Sequence, residues 1–143
     1  MEIFRTTSHT KYDNKYHLVW ITKYRRKILI DSVGRRARDL IRQVCENQGV
    51  VIIKGNVSPD HVHLFVSIPP HQSVSQIVQR AKGKSSYQIL REFSRIKKIC
   101  WGDHFWAIGY FCATSGHVTD EMIVKYIEKQ GEGEEDDPFQ VTP

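Results

Sequence analysis

Apolar residues along this chain follow two periods, and the switches between them outline its elements. "KYHLVWITK" (Lys15–Lys23) is rich in β-branched and aromatic residues and predicts a strand. From Val33 the period lengthens. Val33, Ala37, Leu40, Ile41, Val44 and Cys45 form one helical stripe, with Asp31 or Ser32 as the cap and Gly49 as the stop. "VVIIKGNV" (Val50–Val57) and "HVHLFVSI" (His61–Ile68) predict two further strands. The short Ser58–Asp60 link makes these two antiparallel neighbours. Pro69 and Pro70 end the second of them, and Ser73 opens a long helix with Val74, Ile77, Val78, Ala81, Ile89, Leu90 and Phe93 on its apolar side. "FWAIGYFCAT" (Phe105–Thr114) predicts a fourth strand. "TDEMIVKYIEKQ" (Thr119–Gln130) predicts a short helix, with Thr119 as N-cap and Gly131 as stop.

The resulting order is β-α-β-β-α-β plus a terminal helix. This is the split βαβ pattern of ferredoxin-like and RRM-like α+β folds, with helices on one face of the sheet and the other face more open. Side chains alternate along a strand. Val62, Leu64, Val66 and Ile68 therefore face the helices, and His61 and His63 point together to the opposite face.

The 143 residues suit one domain, expected over 1–131, followed by an acidic, flexible tail at 132–143. No apolar run approaches the roughly 20 residues of a membrane helix, and the first residues lack the apolar block of a signal peptide, so a cytoplasmic protein is expected. The three cysteines, Cys45, Cys100 and Cys112, are widely spaced and odd in number, which predicts buried free thiols. Net charge is +5, and five of the 16 acidic residues lie in the tail. Setting those aside leaves 21 basic against 11 acidic residues. Such a body suits a polyanionic partner, although the same charge also serves solubility.

His61 and His63, at i and i+2 on a strand, stand roughly 7 Å apart at Cα, close enough to ligate one cation. Two surface histidines on a half-exposed strand give the same tripeptide. A metallo-β-lactamase-like HxHxD would need Asp where Phe65 stands, and a cupin would need a glutamate absent from Leu64–Pro70. Tyr126 and Gln130 are i and i+4 on the last helix, about 40° apart, and flank its apolar stripe. A packed tyrosine beside a polar residue is the plain reading. A metal pair, a phenol, an amide and a basic body are together the parts of a phosphoryl-transfer site. "GKSS" (Gly83–Ser86) is not a Walker A motif, because Val78 stands where glycine is needed, so no nucleotide cofactor is expected.

His61-Val62-His63 within "PDHVHLFV", the early "YHLVWITKYRRK", "KGKSS" and the terminal "YIEKQ" resemble the small single-tyrosine HUH transposases of bacterial insertion sequences, over roughly Thr10 to Gln130. The resemblance implies that Tyr126 attacks a phosphodiester of single-stranded DNA to give a 5′-phosphotyrosine and a free 3′-OH. It implies that His61, His63 and Gln130 bind Mg²⁺ or Mn²⁺, and that the protein is a homodimer reading hairpins at element ends. Lys23, Arg25, Arg26, Lys27, Arg80, Lys82 and Lys84 are candidate contacts to DNA phosphates, and Tyr24 or Trp20 to bases. The alternatives are a relative that processes hairpins or repeats without mobilising an element, and a non-catalytic RRM-like nucleic-acid-binding module.

Overall fold

Strand β3 (Lys15–Ile21) buries Leu18 and Trp20 on one side and turns His17, Val19 and Ile21 to the other. The same alternation runs through β5 (His61–Ser67), whose Val62, Leu64 and Val66 join the core. The computed structural model describes residues 4–6, 11–114 and 137–143. A two-stranded ribbon, β1 (Arg5–Thr6) with β2 (Lys11–Tyr12), precedes the main sheet. That sheet continues with β4 (Val51–Ser58), β6 (Phe111–Thr114) and β7 (Phe139–Val141), in the order β6-β3-β5-β4-β7. Its first four strands pair antiparallel, and β7 joins β4 parallel. The protein is an α+β fold with a mixed sheet.

Helices α1 (Asp31–Asn47) and α2 (Val74–Glu92) pack side by side, and their buried residues share one core with β3, β4 and β5. Every residue of the expected α1 stripe is buried. The helix, however, starts at Asp31 with Ile30 in the cap position, and neither Asp31 nor Ser32 caps it. Ser73 does cap α2, accepting a hydrogen bond from Gln76 N at 3.1 Å. The extended backbone of Phe93 separates α2 from the short α3 (Ser94–Ile99).

A register shift in β4 decides what faces the histidines. Ile52 pairs with Val66, but Lys54 pairs with Phe65, so one residue is bulged out between them. Without the bulge, Asn56 and Ser58 would share the helix-facing side of Ile52. With it, Gly55 and Val57 turn to the core, and Asn56 and Ser58 lie beside His63 and His61.

Two segments depart from the expected elements. The strand expected at Phe105–Thr114 begins only at Phe111. Phe105 and Trp106 are buried, but they lie in a loop whose carbonyls at Ala107 and Gly109 accept from Lys82 Nζ at 2.7 and 3.1 Å. Gly109, at φ +90, breaks the extended run. The tail expected to be flexible ends in β7, with Phe139 only 1% exposed. Added Cβ atoms at Gly55 and Gly34 would come within 2.8 Å of Phe139 Cδ1 and 3.0 Å of Val141 Cγ1, so both glycines leave room for this strand. Asp137 fastens its start, accepting from Phe139 N at 2.8 Å and from Arg42 at 2.7 and 2.9 Å. The alternation of Phe139, Gln140 and Val141 is too short to outweigh the acidic run before it in a sequence reading.

Cys45 and Cys100 are buried as expected, and burial pushes the Cys45 thiol up to about 12. Cys112 is exposed, against expectation, because it lies on edge strand β6. Among the described residues, no helix is long and apolar enough to cross a membrane.

Candidate metal and nucleic-acid site

The centre of the sheet sets the site. β5 lies between β3 and β4, so its non-core face is flanked on both sides. His63 pairs with Val19 on one neighbour and Asn56 on the other, and His61 with Ile21 and Ser58. The two histidines share this face, as the alternation predicts, but the face is less open than expected. His61 is half-buried, and His63 is only 4% exposed. The His63 ring lies flat on His17, with centroids 3.9 Å apart and planes 14° apart. Phe111 meets the other imidazole edge-on at 6.4 Å. Burial lowers the His17 pKa from its ordinary value, which favours a neutral ring in this stack.

His61 is oriented from behind. Its Nδ1 lies 2.8 Å from Asp60 Oδ1, and Asp60 Oδ2 accepts from Arg25 Nε at 3.2 Å and Nη2 at 3.1 Å. Burial pushes the Asp60 carboxyl up, but the His61 hydrogen bond and the Arg25 charge together outweigh it and hold the group below its ordinary range. An ionised Asp60 accepts, so the proton of a neutral His61 belongs on Nδ1, and Nε2 keeps its lone pair. A carboxylate behind a histidine is the usual outer support of a metal ligand. Backbone bonds fix the link itself: Asp60 O accepts from Thr22 N at 3.0 Å, and Pro59 O from Leu29 N at 2.9 Å.

On the other flank, buried Asn56 donates to Ser58 Oγ at 2.8 Å and accepts from Thr142 Oγ1 at 2.9 Å. The C-terminal strand thus closes a polar network next to the histidine pair. Asp60, Asn56 and Ser58 escaped the sequence reading. Asp60 carried a signal, a carboxylate directly before the first histidine, but Asn56 and Ser58 reach this face only through the bulge.

The other expected residues divide. Tyr126 and Gln130 lie outside the described residues. Lys23, Arg25 and Arg26 form a tight turn after β3, with Lys27 next to them. Arg25 and Lys27 are exposed. Arg80, Lys82 and Lys84 lie on α2, and so does "GKSS", in helical form as expected. Arg80 bonds the Gln48 side chain, and Lys82 is committed to the two loop carbonyls. Burial lowers the Lys82 pKa. Trp20 is 2% exposed and belongs to the core, so it is not a base contact, whereas Tyr24 is 76% exposed.

As donors toward a divalent cation, two imidazoles on one strand face fit, one with its tautomer set by a carboxylate. Among the described residues, no group of three or more His, Cys, Asp or Glu side chains is placed to hold a metal ion.

A histidine pair on the central strand of an α+β sheet, in a basic chain, suits metal-assisted chemistry on a polyanion. Residues 10–130 match the family "Transposase IS200 like". The chain is 34% identical over 123 residues to the ISDra2 transposase TnpA of Deinococcus radiodurans, covering 86% of this chain and 88% of that one. It is also 34% identical over 126 residues to the transposase for insertion sequence element IS200 of Salmonella typhimurium, covering 88% and 82%. The crystal structure of a candidate transposase from Deinococcus radiodurans aligns with TM-score 0.73 and 31% identity, over 88% of this chain and 97% of that one. A REP-associated tyrosine transposase bound to a REP hairpin aligns with TM-score 0.59 at 13% identity, a likeness of fold alone.

The chain belongs to the IS200/IS605-type family of single-tyrosine HUH transposases. It is an enzyme that acts on DNA through a tyrosine-based mechanism. Divalent metal use and single-stranded DNA binding are general to this family.

Proposed function

We propose that this transposase cuts and rejoins single-stranded DNA at insertion-sequence ends, with Tyr126 as nucleophile and His61, His63 and Gln130 as the protein ligands of one Mg²⁺ or Mn²⁺. The observation that carries the metal site is the Arg25–Asp60–His61 chain beside His63 on the central strand. The strand order and directions support a ferredoxin-like fold: β3 and β4 run parallel with β5 between them, and β5 and β6 run parallel with β3 between them. That domain takes in β7 and so runs to the end of the chain.

Topology also supports the reach of Tyr126. The described chain leaves the sheet at Thr114 on the β6 edge and returns at Phe139 on the β7 edge. In sequence, Tyr126 and Gln130 thus fall between two strands that lie on either side of the histidine strand.

In the first step the Tyr126 phenol gives up its proton and its oxygen attacks phosphorus. The phosphorus–O3′ bond breaks, leaving a 5′-phosphotyrosine and a 3′-OH. In the second step a 3′-OH from another strand end attacks the same phosphorus, and the tyrosine–phosphorus bond breaks. Both steps exchange one phosphate ester for another, so no nucleotide hydrolysis is required. When bound, the cation supplies Lewis-acid stabilisation of charge on the phosphate. Asp60 holds the His61 proton on Nδ1, and His17 fixes the plane of His63. The protein works as a homodimer on hairpins at element ends.

The test is covalent capture. Wild-type protein with single-stranded oligonucleotide and Mn²⁺ gives a denaturation-resistant adduct, and Tyr126→Phe gives none. Persistence of the adduct in Tyr126→Phe rejects the nucleophile. Undiminished adduct in a His61→Ala, His63→Ala variant rejects the metal pair.

A further inference from the structure

The turn after β3 holds two successive residues in the left-handed region, Tyr24 (φ 58, ψ 20) and Arg25 (φ 51). Side chains with a Cβ are disfavoured there, and glycine or asparagine is the usual occupant. The surroundings enforce the shape. Lys23 N donates to Phe105 O at 2.9 Å, Arg25 N to Thr22 O at 2.9 Å, and fully buried Thr22 donates from Oγ1 to Arg26 O at 2.7 Å. This conformation leaves Tyr24 76% exposed. Lys23 Nζ and Arg26 Cζ approach that ring to 5.2 and 5.0 Å. Tyr87 makes a useful contrast. It is also exposed and also meets an arginine, Arg91, at 5.0 Å, but it stands on the regular helix α2 and needs no strained backbone.

A rigid turn that strains its backbone to present an aromatic ring, ringed by cations, has the parts of a single-strand contact: a face for a base and charges for its phosphates. Its position suits the reaction. The next residue, Arg25, touches Asp60, and Asp60 touches His61. We propose that Tyr24 is a nucleobase-stacking platform that seats single-stranded DNA beside the His61–His63 pair, with Lys23 and Arg26 on the flanking phosphates. This rests on the single-strand reading above and adds where one base sits.

The experiment measures binding in EDTA, so that no strand is cut, to a short oligothymidylate and to an abasic strand of equal length. Tyr24→Ala and Tyr24→Gly weaken oligothymidylate binding about tenfold, and Tyr24→Phe and Tyr87→Ala leave it unchanged. All of them bind the abasic strand like wild type, because the cations remain. Tyr24→Gly also melts at or above the wild-type temperature, since glycine accepts this φ without strain. A merely structural tyrosine would lose stability and affinity together. Oligothymidylate binding unchanged in Tyr24→Gly, or an equal loss on the abasic strand, overturns the platform. A wild-type chain that ignores both strands removes the single-strand reading and the platform with it.

Discussion

The two faces of β5 are built on opposite rules. Toward the helices stand Val62, Leu64 and Val66, each fully buried among other apolar groups. Toward the other side stand His61 and His63, backed by Asp60 and flanked by Asn56, Ser58 and His17. The helix side is wholly apolar, whereas the other side holds polar groups in fixed orientations beside one buried aromatic ring, Phe65. Alternation lets both occupy seven residues, so damage to one need not reach the other. His63 is where the separation is thinnest, because it is both a candidate ligand and a buried, stacked ring.

The largest expected effect tests that separation from the core side. Leu64→Ala should cost about 3 kcal/mol in denaturant unfolding, from lost burial plus the cavity left behind. Below the unfolding transition its Mn²⁺ affinity should match wild type. A large loss of affinity in the folded variant would mean that the faces are coupled.

Next comes Asp60→Asn, which should weaken Mn²⁺ binding by titration about 10- to 100-fold, as removal of a ligand's outer partner typically does. Its melting temperature should stay close to wild type, because the backbone bonds of Asp60 and Pro59 remain. Nitrogen-15 shifts of His61 should show the Nδ1–H tautomer in metal-free wild type and a mixture in the variant. Unchanged affinity and tautomer would remove Asp60 from the site.

The smallest effect lies at the edge of the polar face, where β7 is held by Asp137. Burial pushes that carboxyl up, but the Phe139 N–H and Arg42 outweigh it and keep it below the ordinary carboxylate range. A depressed carboxyl contributes stability that is complete above its unfolded value and lost as pH falls through the folded value. Melting temperature should therefore drop below about pH 4, and Asp137→Asn should flatten that slope at a cost of about 1 kcal/mol near neutrality. An identical acid slope in the variant would assign the pH dependence to other carboxylates.

Sequence periodicity carried much of this comparison. The stripe of α1, the pairing of β4 with β5 and the common face of His61 and His63 all follow from spacing. Burial of Trp20 follows from the same rule, since it is two residues from Leu18, and this burial rules out a base contact. What spacing cannot reveal is how neighbours change a local preference. The β4 bulge moves Asn56 across the sheet, Lys82 and Gly109 hold Phe105 and Trp106 out of a strand, and Thr22 forces Tyr24 into a conformation its residue type does not announce. The Arg25–Asp60 contact joins residues 35 positions apart and becomes visible only once the strands are paired.

The central claim is that the phenol of Tyr126 meets a cation held by His61 and His63. Fluorine-19 spectra of protein containing 3-fluorotyrosine, with Tyr126→Phe to assign the signal, test it directly. Sub-stoichiometric Mn²⁺ should broaden the Tyr126 resonance before that of exposed Tyr87, and the His61→Ala, His63→Ala variant should abolish the difference. A Tyr126 resonance that stays sharp while wild-type protein is saturated with Mn²⁺ would contradict the account.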